Sequence, residues 1–244
     1  MNNIPVITKN LLIINVLMFL GTIVAEQRGI DLAQYLGLHF VLSEDFNVAQ
    51  LITYMFMHGG FSHIFFNMFA LWMFGRILEN VWGPRRFLFY YLLCGIGAGL
   101  IQEAVQAVSY FAVADGMPAA ALEGVYREGA DALAKGMNFV DPAMAHLNVV
   151  LNGSTVGASG AVYAILLGFG MLFPNERMFI FPLPFPIKAK FFVAGYALIE
   201  LWSGLANNPA DNVAHFAHLG GMIFGFILIM YWRRKERQNG YYHF

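Results

Sequence analysis

The chain has 244 residues, of which 59% are hydrophobic and 12% are charged, with a formal net charge of −1 at pH 7 and one cysteine. Soluble domains carry about 25% charged residues, so the composition excludes an ordinary soluble domain and indicates a membrane protein. A single cysteine excludes an intrachain disulfide scaffold, and the balanced charge predicts no nucleic-acid partner.

Six apolar runs with few charges follow one another along the chain, each close to the roughly 20 residues that a helix needs to cross a bilayer. They predict an all-α, polytopic membrane protein in which six transmembrane helices form one domain over residues 1–244. The predicted spans are 10–25, 61–79, 87–108, 154–173, 190–207 and 212–232.

The basic residues predict how these spans are oriented. With a cytoplasmic N-terminus and six crossings, the outer side keeps only three of the fourteen basic residues, Arg28, Arg127 and Lys135. Because cytoplasmic loops of membrane proteins are enriched in Lys and Arg, both termini are expected in the cytoplasm. Residues 233–244 then form a cytoplasmic tail.

Two connections on the outer side are too long to be simple turns. The first, 27–60, is apolar enough to predict structured elements at the membrane interface. The second is an insertion over residues 109–153, between the third and fourth spans, in which Pro118 and the Asp141-Pro142 pair are typical helix starts. We interpret the insertion as a surface-lying helix pair rather than a cap that contacts a substrate.

Polar side chains mark the beginning of the second span. His58 precedes it, and His63 and Asn67 are four residues apart, so that they project from one helix face. An amide in hydrocarbon needs a polar partner. Donors of this kind can stabilise the negative oxygen that forms when a nucleophile attacks a carbonyl.

Ser159 lies in the sequence Gly157-Ala158-Ser159-Gly160, near the head of the fourth span, and Tyr163 follows on the same helix face. The two glycines allow another helix to approach closely. Taken alone, the motif favours helix packing, with Ser159 bonded to a carbonyl one turn back. A neighbouring base would instead make the serine a nucleophile.

His218 is the candidate base, in the sequence Ala217-His218-Leu219-Gly220-Gly221. It lies one to two turns below the outer end of the sixth span, and Ser159 enters the membrane from the same side. Ionisable groups inside spans are costly and by default indicate function. His215 shares the helix face and competes as the base, but the glycines that follow His218 permit the close helix approach that a serine–histidine pair needs.

Functions other than hydrolysis are also compatible with parts of the sequence. Four histidines toward the outer side suit a zinc site, although no carboxylate is visibly placed with them, and neither a metal nor a cofactor is expected. Proton transport fits six spans with histidines, but the two halves show no repeat. Glu200, within the fifth span, is interpreted as a packing or water-contacting carboxyl rather than a catalytic one.

Together these residues resemble the rhomboid family of intramembrane serine proteases. The matching segments occur in the family's order on its second, fourth and sixth helices. They are His58-Gly59-Gly60-Phe61-Ser62-His63-Ile64-Phe65-Phe66-Asn67, Gly157-Ala158-Ser159-Gly160-Ala161-Val162-Tyr163, and Ala217-His218-Leu219-Gly220-Gly221 with Gly225.

The resemblance implies a serine endopeptidase with Ser159 as nucleophile and His218 as general base, without an aspartate to complete a triad. It also implies His63, Asn67 and the backbone N–H of Ser159 as the oxyanion site, with Tyr163 packed against the ring of His218. His58 resembles a family position that holds the first outer loop.

The implied substrates are transmembrane segments of single-pass membrane proteins, cut near the outer face of the bilayer, and the six-span form suggests the bacterial inner membrane. Many family members carry Trp-Arg in the first outer loop, where this chain has Val48-Ala49-Gln50-Leu51. The alternative is a non-catalytic rhomboid-like protein that binds membrane clients. Retention of both Ser159 and His218 favours the enzyme.

Overall fold

The computed structural model describes residues 3–179, 185–206 and 213–238. Its helices in chain order are α1 (Val6–Glu26), α2 (Leu32–Leu36), α3 (Gln50–Thr53), α4 (Phe61–Ala70), α5 (Arg76–Trp82), α6 (Pro84–Ala114), α7 (Ala119–Ala134), α8 (Pro142–Asn152), α9 (Ser159–Leu172), α10 (Ala189–Ala206) and α11 (His215–Gln238). Two-residue strands are β1 (Leu38–His39), β2 (Ser154–Thr155), β3 (Arg177–Met178) and β4 (Ile187–Lys188).

Five helices in the described part of the chain are long and apolar enough to cross a membrane. They are α1, the continuous helix that α4 and α5 form through a π turn, α6, α10 and α11. Large apolar side chains such as Leu17, Leu198 and Trp202 point outward, as expected for helices in contact with lipid. The predicted all-α polytopic class is confirmed, and the chain is an integral, multi-pass membrane protein.

The fourth predicted span is wrong at its start, because α9 begins at Ser159 rather than at 154. Ser154 and Thr155 form strand β2, which pairs antiparallel with β1. Strand β1 belongs to the connection over residues 27–60, named the first outer loop below after its predicted side of the membrane. Gly157 then adopts a φ of +138°, a conformation that glycine tolerates and other residues rarely adopt. With 14 residues, α9 is about 21 Å long, which is shorter than the roughly 30 Å hydrocarbon core.

Helices α6, α9 and α11 pack against one another at the centre of the bundle. Tyr90 of α6 is fully buried, and its hydroxyl donates a hydrogen bond of 2.7 Å to the carbonyl of Ala164 on α9. Gly225 of α11 faces the same hydroxyl, which a Cβ atom at this position would overlap. The missing side chain therefore lets the three helices meet around one buried tyrosine.

A buried amide fixes the first outer loop, in the stretch that departs from the family pattern. Gln50 is 2% exposed; its oxygen accepts the N–H groups of His39 and Asn47, and its nitrogen donates to the carbonyl of Asp45 at 2.8 Å. Buried polar groups of this kind stabilise only when their hydrogen bonds are made. Residues 45–50 are thereby held against β1 of the same loop without the Trp-Arg pair.

The insertion folds as the helices α7 and α8. Asp141 caps α8 by accepting the N–H of Met144 at 2.9 Å. Val125 of α7 and Leu147 of α8 share a small core with Phe40 of the first outer loop and Tyr110 of α6. Helix α6 continues to Ala114 because Tyr110 packs into this core, so the insertion leaves the helix later than the predicted residue 109.

The start of the first helix and the end of the last helix also differ from the predicted spans. Helix α1 begins at Val6 rather than at 10. The buried carboxylate of Glu79 accepts the N–H groups of Ile7 and Thr8 in its first turn, at 2.9 and 2.7 Å. Helix α11 continues through Gln238, into the predicted tail. Residues 207 and 212, at the predicted ends of the fifth and sixth spans, and 239–244 lie outside the described residues.

Candidate active site

Ser159 and His218 meet at the point where α9 and α11 begin. Ser159 is the first residue of α9, and His218 lies in the first turn of α11. The Oγ atom of Ser159 is 2.8 Å from Nε2 of His218, a hydrogen-bond distance. Two side chains predicted from different spans are thus in direct contact. The contact is largely shielded from solvent, since His218 is 7% exposed.

Two glycines make this contact possible. A Cβ atom on Gly221 of α11 would overlap the carbonyl group of Gly160 on α9, and a Cβ atom on Gly160 would overlap Ala98 of α6. Small residues at helix contacts allow such close approach in membranes. The close packing predicted for Gly160 is therefore what brings Ser159 next to His218.

The ring of Tyr163 holds the imidazole of His218 in place. The two rings are stacked, with centroids 4.2 Å apart and planes inclined by 7°. Tyr163 lies one turn after Ser159 on α9, so the same helix carries the serine and the surface on which its partner rests. The geometry is the one that the resemblance implied for Tyr163.

A carboxylate on α10 joins the cluster. Oε2 of Glu200 lies 2.9 Å from Nδ1 of His218 and 2.6 Å from Nδ1 of His215, and Oε1 accepts a short hydrogen bond from the hydroxyl of Tyr163. The sequence interpretation had Glu200 as a packing or water-contacting carboxyl, and the structure gives it hydrogen-bond partners on α9 and α11. The available signal was that Glu200 is the one charged residue within 191–206, and intramembrane charge indicates function by default.

The competing zinc interpretation also needs a correction. The ligand atoms of Glu200, His215 and His218 lie within 4.8 Å of one another, so a carboxylate is placed with two of the histidines after all. Two imidazoles and a carboxylate are a set that zinc accepts. The N···O distances of 2.6 and 2.9 Å are those of direct hydrogen bonds.

His63 lies on the other side of Ser159. A Cβ atom on Gly157 would be 2.9 Å from Nε2 of His63 and 3.4 Å from Oγ of Ser159, so the imidazole faces the backbone just before the serine. The N–H of Gly59 donates to Nδ1 of His63 at 3.3 Å. A neutral imidazole carries one N–H, so the hydrogen is on Nε2. This N–H donor points toward the backbone just before Ser159.

Asn67 and His58 support His63. The amide nitrogen of Asn67, 6% exposed, donates to the carbonyl of His63 at 2.9 Å, which leaves its second N–H available. His58 is buried before α4, and its ring contacts that of His63 edge to face at 5.1 Å. Burial, and secondarily the nearby His63, lower the pKa of His58 to about 4, so this ring is neutral at pH 7.

Comparison with known proteins places the sequence in a family. The Rhomboid domain model matches residues 45–235. Rhomboid protein 1, mitochondrial, of Saccharomyces cerevisiae is 26% identical over 217 residues, covering 84% of this chain and 49% of the yeast protein. Rhomboid-like protein 16, chloroplastic, of Arabidopsis thaliana is 25% identical over 188 residues, covering 77% of this chain and 49% of the Arabidopsis protein.

The human Presenilin-associated rhomboid-like protein, mitochondrial, is 27% identical over 192 residues, covering 74% of this chain and 38% of that protein. The chain spans about half the length of the curated relatives it matches, or less. Because the family model extends over well above half of the sequence, the chain belongs to the rhomboid family.

Proposed function

We propose that the protein is an intramembrane serine endopeptidase that cleaves transmembrane segments of single-pass membrane proteins near the outer face of the bilayer. The observation that carries the proposal is the 2.8 Å contact between Oγ of Ser159 and Nε2 of His218. A serine becomes a useful nucleophile when an adjacent base accepts its proton.

The reaction we propose is acyl transfer in two halves. His218 takes the proton of Ser159 at Nε2 while Oγ bonds to the scissile carbonyl carbon. The tetrahedral intermediate then collapses, the C–N bond breaks, and the leaving amine receives the proton from His218. A water molecule, deprotonated by His218, attacks the resulting ester, and Ser159 recovers its proton when the acid product leaves.

The oxyanion of each tetrahedral intermediate requires preorganised donors. The proposed set is Nε2–H of His63, the second amide N–H of Asn67 and the backbone N–H of Ser159. Because Ser159 is the first residue of α9, its N–H belongs to the helix turn that lacks intrahelical partners, at the positive end of the helix dipole. The tautomer that Gly59 imposes on His63 supports this arrangement.

The expected substrates follow from the backbone conformation that the reaction requires. Carbonyls of an intact transmembrane helix are hydrogen-bonded and shielded, so a substrate must unwind locally before Ser159 can attack it. This favours single-pass proteins with small or helix-destabilising residues near the outer surface. The lipid bilayer is the second partner.

For orientation we propose that the N- and C-termini are cytoplasmic, which the distribution of basic residues supports. The bacterial inner membrane stays a prediction. The relatives named above are mitochondrial or chloroplastic proteins by name. The membrane that holds this chain is settled by locating the protein in its own cells.

The proposal is tested by incubating the purified protein with a single-pass fusion substrate in reconstituted proteoliposomes. Wild type is expected to cut the fusion within its transmembrane segment, and Ser159→Ala to reduce the rate by more than about 10⁴-fold, because the nucleophile is lost. Cleavage that survives Ser159→Ala sinks the serine mechanism. No cleavage by any form over several substrates favours the client-binding alternative.

A chelator arm of the same assay tests the zinc interpretation. Prolonged dialysis against EDTA is expected to leave the wild-type rate unchanged, because Glu200 contacts His215 and His218 by direct hydrogen bonds. Loss of cleavage on chelation, restored by added zinc, contradicts a metal-independent mechanism.

A further inference from the structure

The carboxylate of Glu200 is held from three sides in the interior of the bundle. One oxygen accepts from Nδ1 of both His215 and His218, and the other accepts from the hydroxyl of Tyr163. Glu200 is 5% exposed. A buried carboxylate is costly unless it is paired and hydrogen-bonded, and here both of its oxygens are fixed.

We propose that Glu200 is a positioning residue that acts through His218 and completes a Ser159–His218–Glu200 triad in place of the simple dyad. This inference rests on the proposed function. It assigns to α10 a part in the chemistry, whereas the nucleophile and the base belong to α9 and α11.

The contact with Glu200 fixes the tautomer of His218. An ionised carboxylate only accepts hydrogen bonds, so the Nδ1 atom that faces Glu200 at 2.9 Å must carry the hydrogen. A neutral imidazole then has its lone pair on Nε2, the atom that lies 2.8 Å from Ser159. Glu200 thus selects the only neutral form of His218 that can accept the serine proton.

Glu200 also stabilises the charge that His218 acquires during the reaction. When His218 accepts the proton it becomes a cation in a buried site, where electrostatic interactions are stronger than in water. The carboxylate 2.9 Å from Nδ1 stabilises this cation. The face of the Tyr163 ring, 4.2 Å from the imidazole, adds a second favourable contact.

His215 and Gly204 hold the carboxylate of Glu200 in position. His215 lies one turn before His218 on α11 and shares Oε2 of Glu200 at 2.6 Å. Gly204, one turn beyond Glu200 on α10, lets the two helices approach, because a Cβ atom there would come within 3.3 Å of His215 and 3.0 Å of the ring of Phe216. Glu200 is therefore held at a fixed distance from α11.

The test compares Glu200→Gln with the matched control Glu103→Gln, which changes another acidic residue of a spanning helix in the same way. Glu103 on α6 accepts the N–H of Val41, a bond that glutamine can also accept. Turnover of the fusion substrate, the rate at which a small fluorophosphonate probe labels Ser159, and the thermal midpoint are measured for both.

Glu200→Gln is expected to lower kcat by about 10²- to 10⁴-fold, as loss of a carboxylate that fixes the base does in other serine hydrolases. KM and the thermal midpoint stay near the wild-type values, and probe labelling slows in parallel with kcat. Glu103→Gln keeps the wild-type rate. In a folded Glu200→Ala protein, added formate is expected to restore part of kcat by occupying the vacated carboxylate position.

A wild-type kcat in Glu200→Gln overturns the inference, as does a fall in turnover with unchanged probe labelling, which would mark a role in substrate access. If Glu200→Gln does not fold, the formate experiment decides, and a kcat that formate does not raise counts against the triad. A failure of the proposed function gives another result: Ser159→Ala cuts like wild type, or wild type does not cut.

Discussion

Replacing Gly221 by alanine is expected to slow cleavage by about 10²-fold or more and to lower the thermal stability of the bundle. The new Cβ atom would overlap the carbonyl group of Gly160, which is backbone and cannot rotate away. Helices α9 and α11 must therefore separate, and overpacking of this kind costs about 1–3 kcal/mol or more. A displacement of about 1 Å at a catalytic contact can cost about 10²-fold in rate.

The measurement is the thermal midpoint together with turnover of the single-pass fusion. Gly195→Ala is the matched control, since Gly195 lies on α10 and a Cβ atom there meets nothing within 4 Å. This variant is expected to keep the wild-type rate and to gain slightly in stability, because alanine favours helix over glycine by about 1 kcal/mol. A Gly221→Ala protein with wild-type midpoint and rate contradicts the packing argument.

Replacing His218 by asparagine is expected to remove cleavage while the fold is kept. Asparagine cannot act as a base at neutral pH, and loss of a catalytic histidine costs about as much as loss of the nucleophile, on the order of 10⁶-fold. The stacking on Tyr163 is also lost. The rate and the midpoint are measured on the same preparation.

The chain offers a second serine–histidine contact as a control. Nε2 of His146 on α8 lies 2.6 Å from Oγ of Ser109 on α6, in the part of the bundle that carries the insertion. His146→Asn is expected to leave cleavage unchanged, because this pair is separate from the oxyanion donors and from Glu200. Equal losses in His146→Asn and His218→Asn would contradict the assignment of the site to α9 and α11.

Much of the site was predictable because its residues keep helical spacing and because the predicted topology brings them into the membrane from one side. His63 and Asn67 share a face of α4, and glycines follow His218 at the spacing that close packing requires. These local features place three polar clusters at one end of the bundle. The contact of 2.8 Å between Ser159 and His218 agrees with that expectation.

The beginning of α9 was not predictable from local pattern. Ser154 and Thr155 continue the uncharged run, and only their pairing with Leu38 and His39 of the first outer loop keeps them extended. Such a pairing joins segments far apart in sequence, so hydropathy does not report it. The position of Ser159 at a helix N-terminus is a consequence of this contact.

The contact between Glu200 and His218 was not predictable for a different reason. A hydropathy run shows that a charge lies within a span but not which way the helix is turned. The rotation of α10 is set by its packing on α11 near Gly204, and only that rotation brings the carboxylate to Nδ1 of His218. The charge within the span is the one feature of the sequence that points to a functional role for this residue.

The most direct measurement of the central claim is covalent trapping of the nucleophile. The protein in proteoliposomes is treated with a fluorophosphonate probe, and peptide mass spectrometry locates the adduct. The predicted result is a single adduct on Ser159 in wild type that is lost in His218→Asn, because the serine is activated only by that base. An adduct on another residue, or labelling of Ser159 at the wild-type rate without His218, would contradict the proposed serine–histidine chemistry.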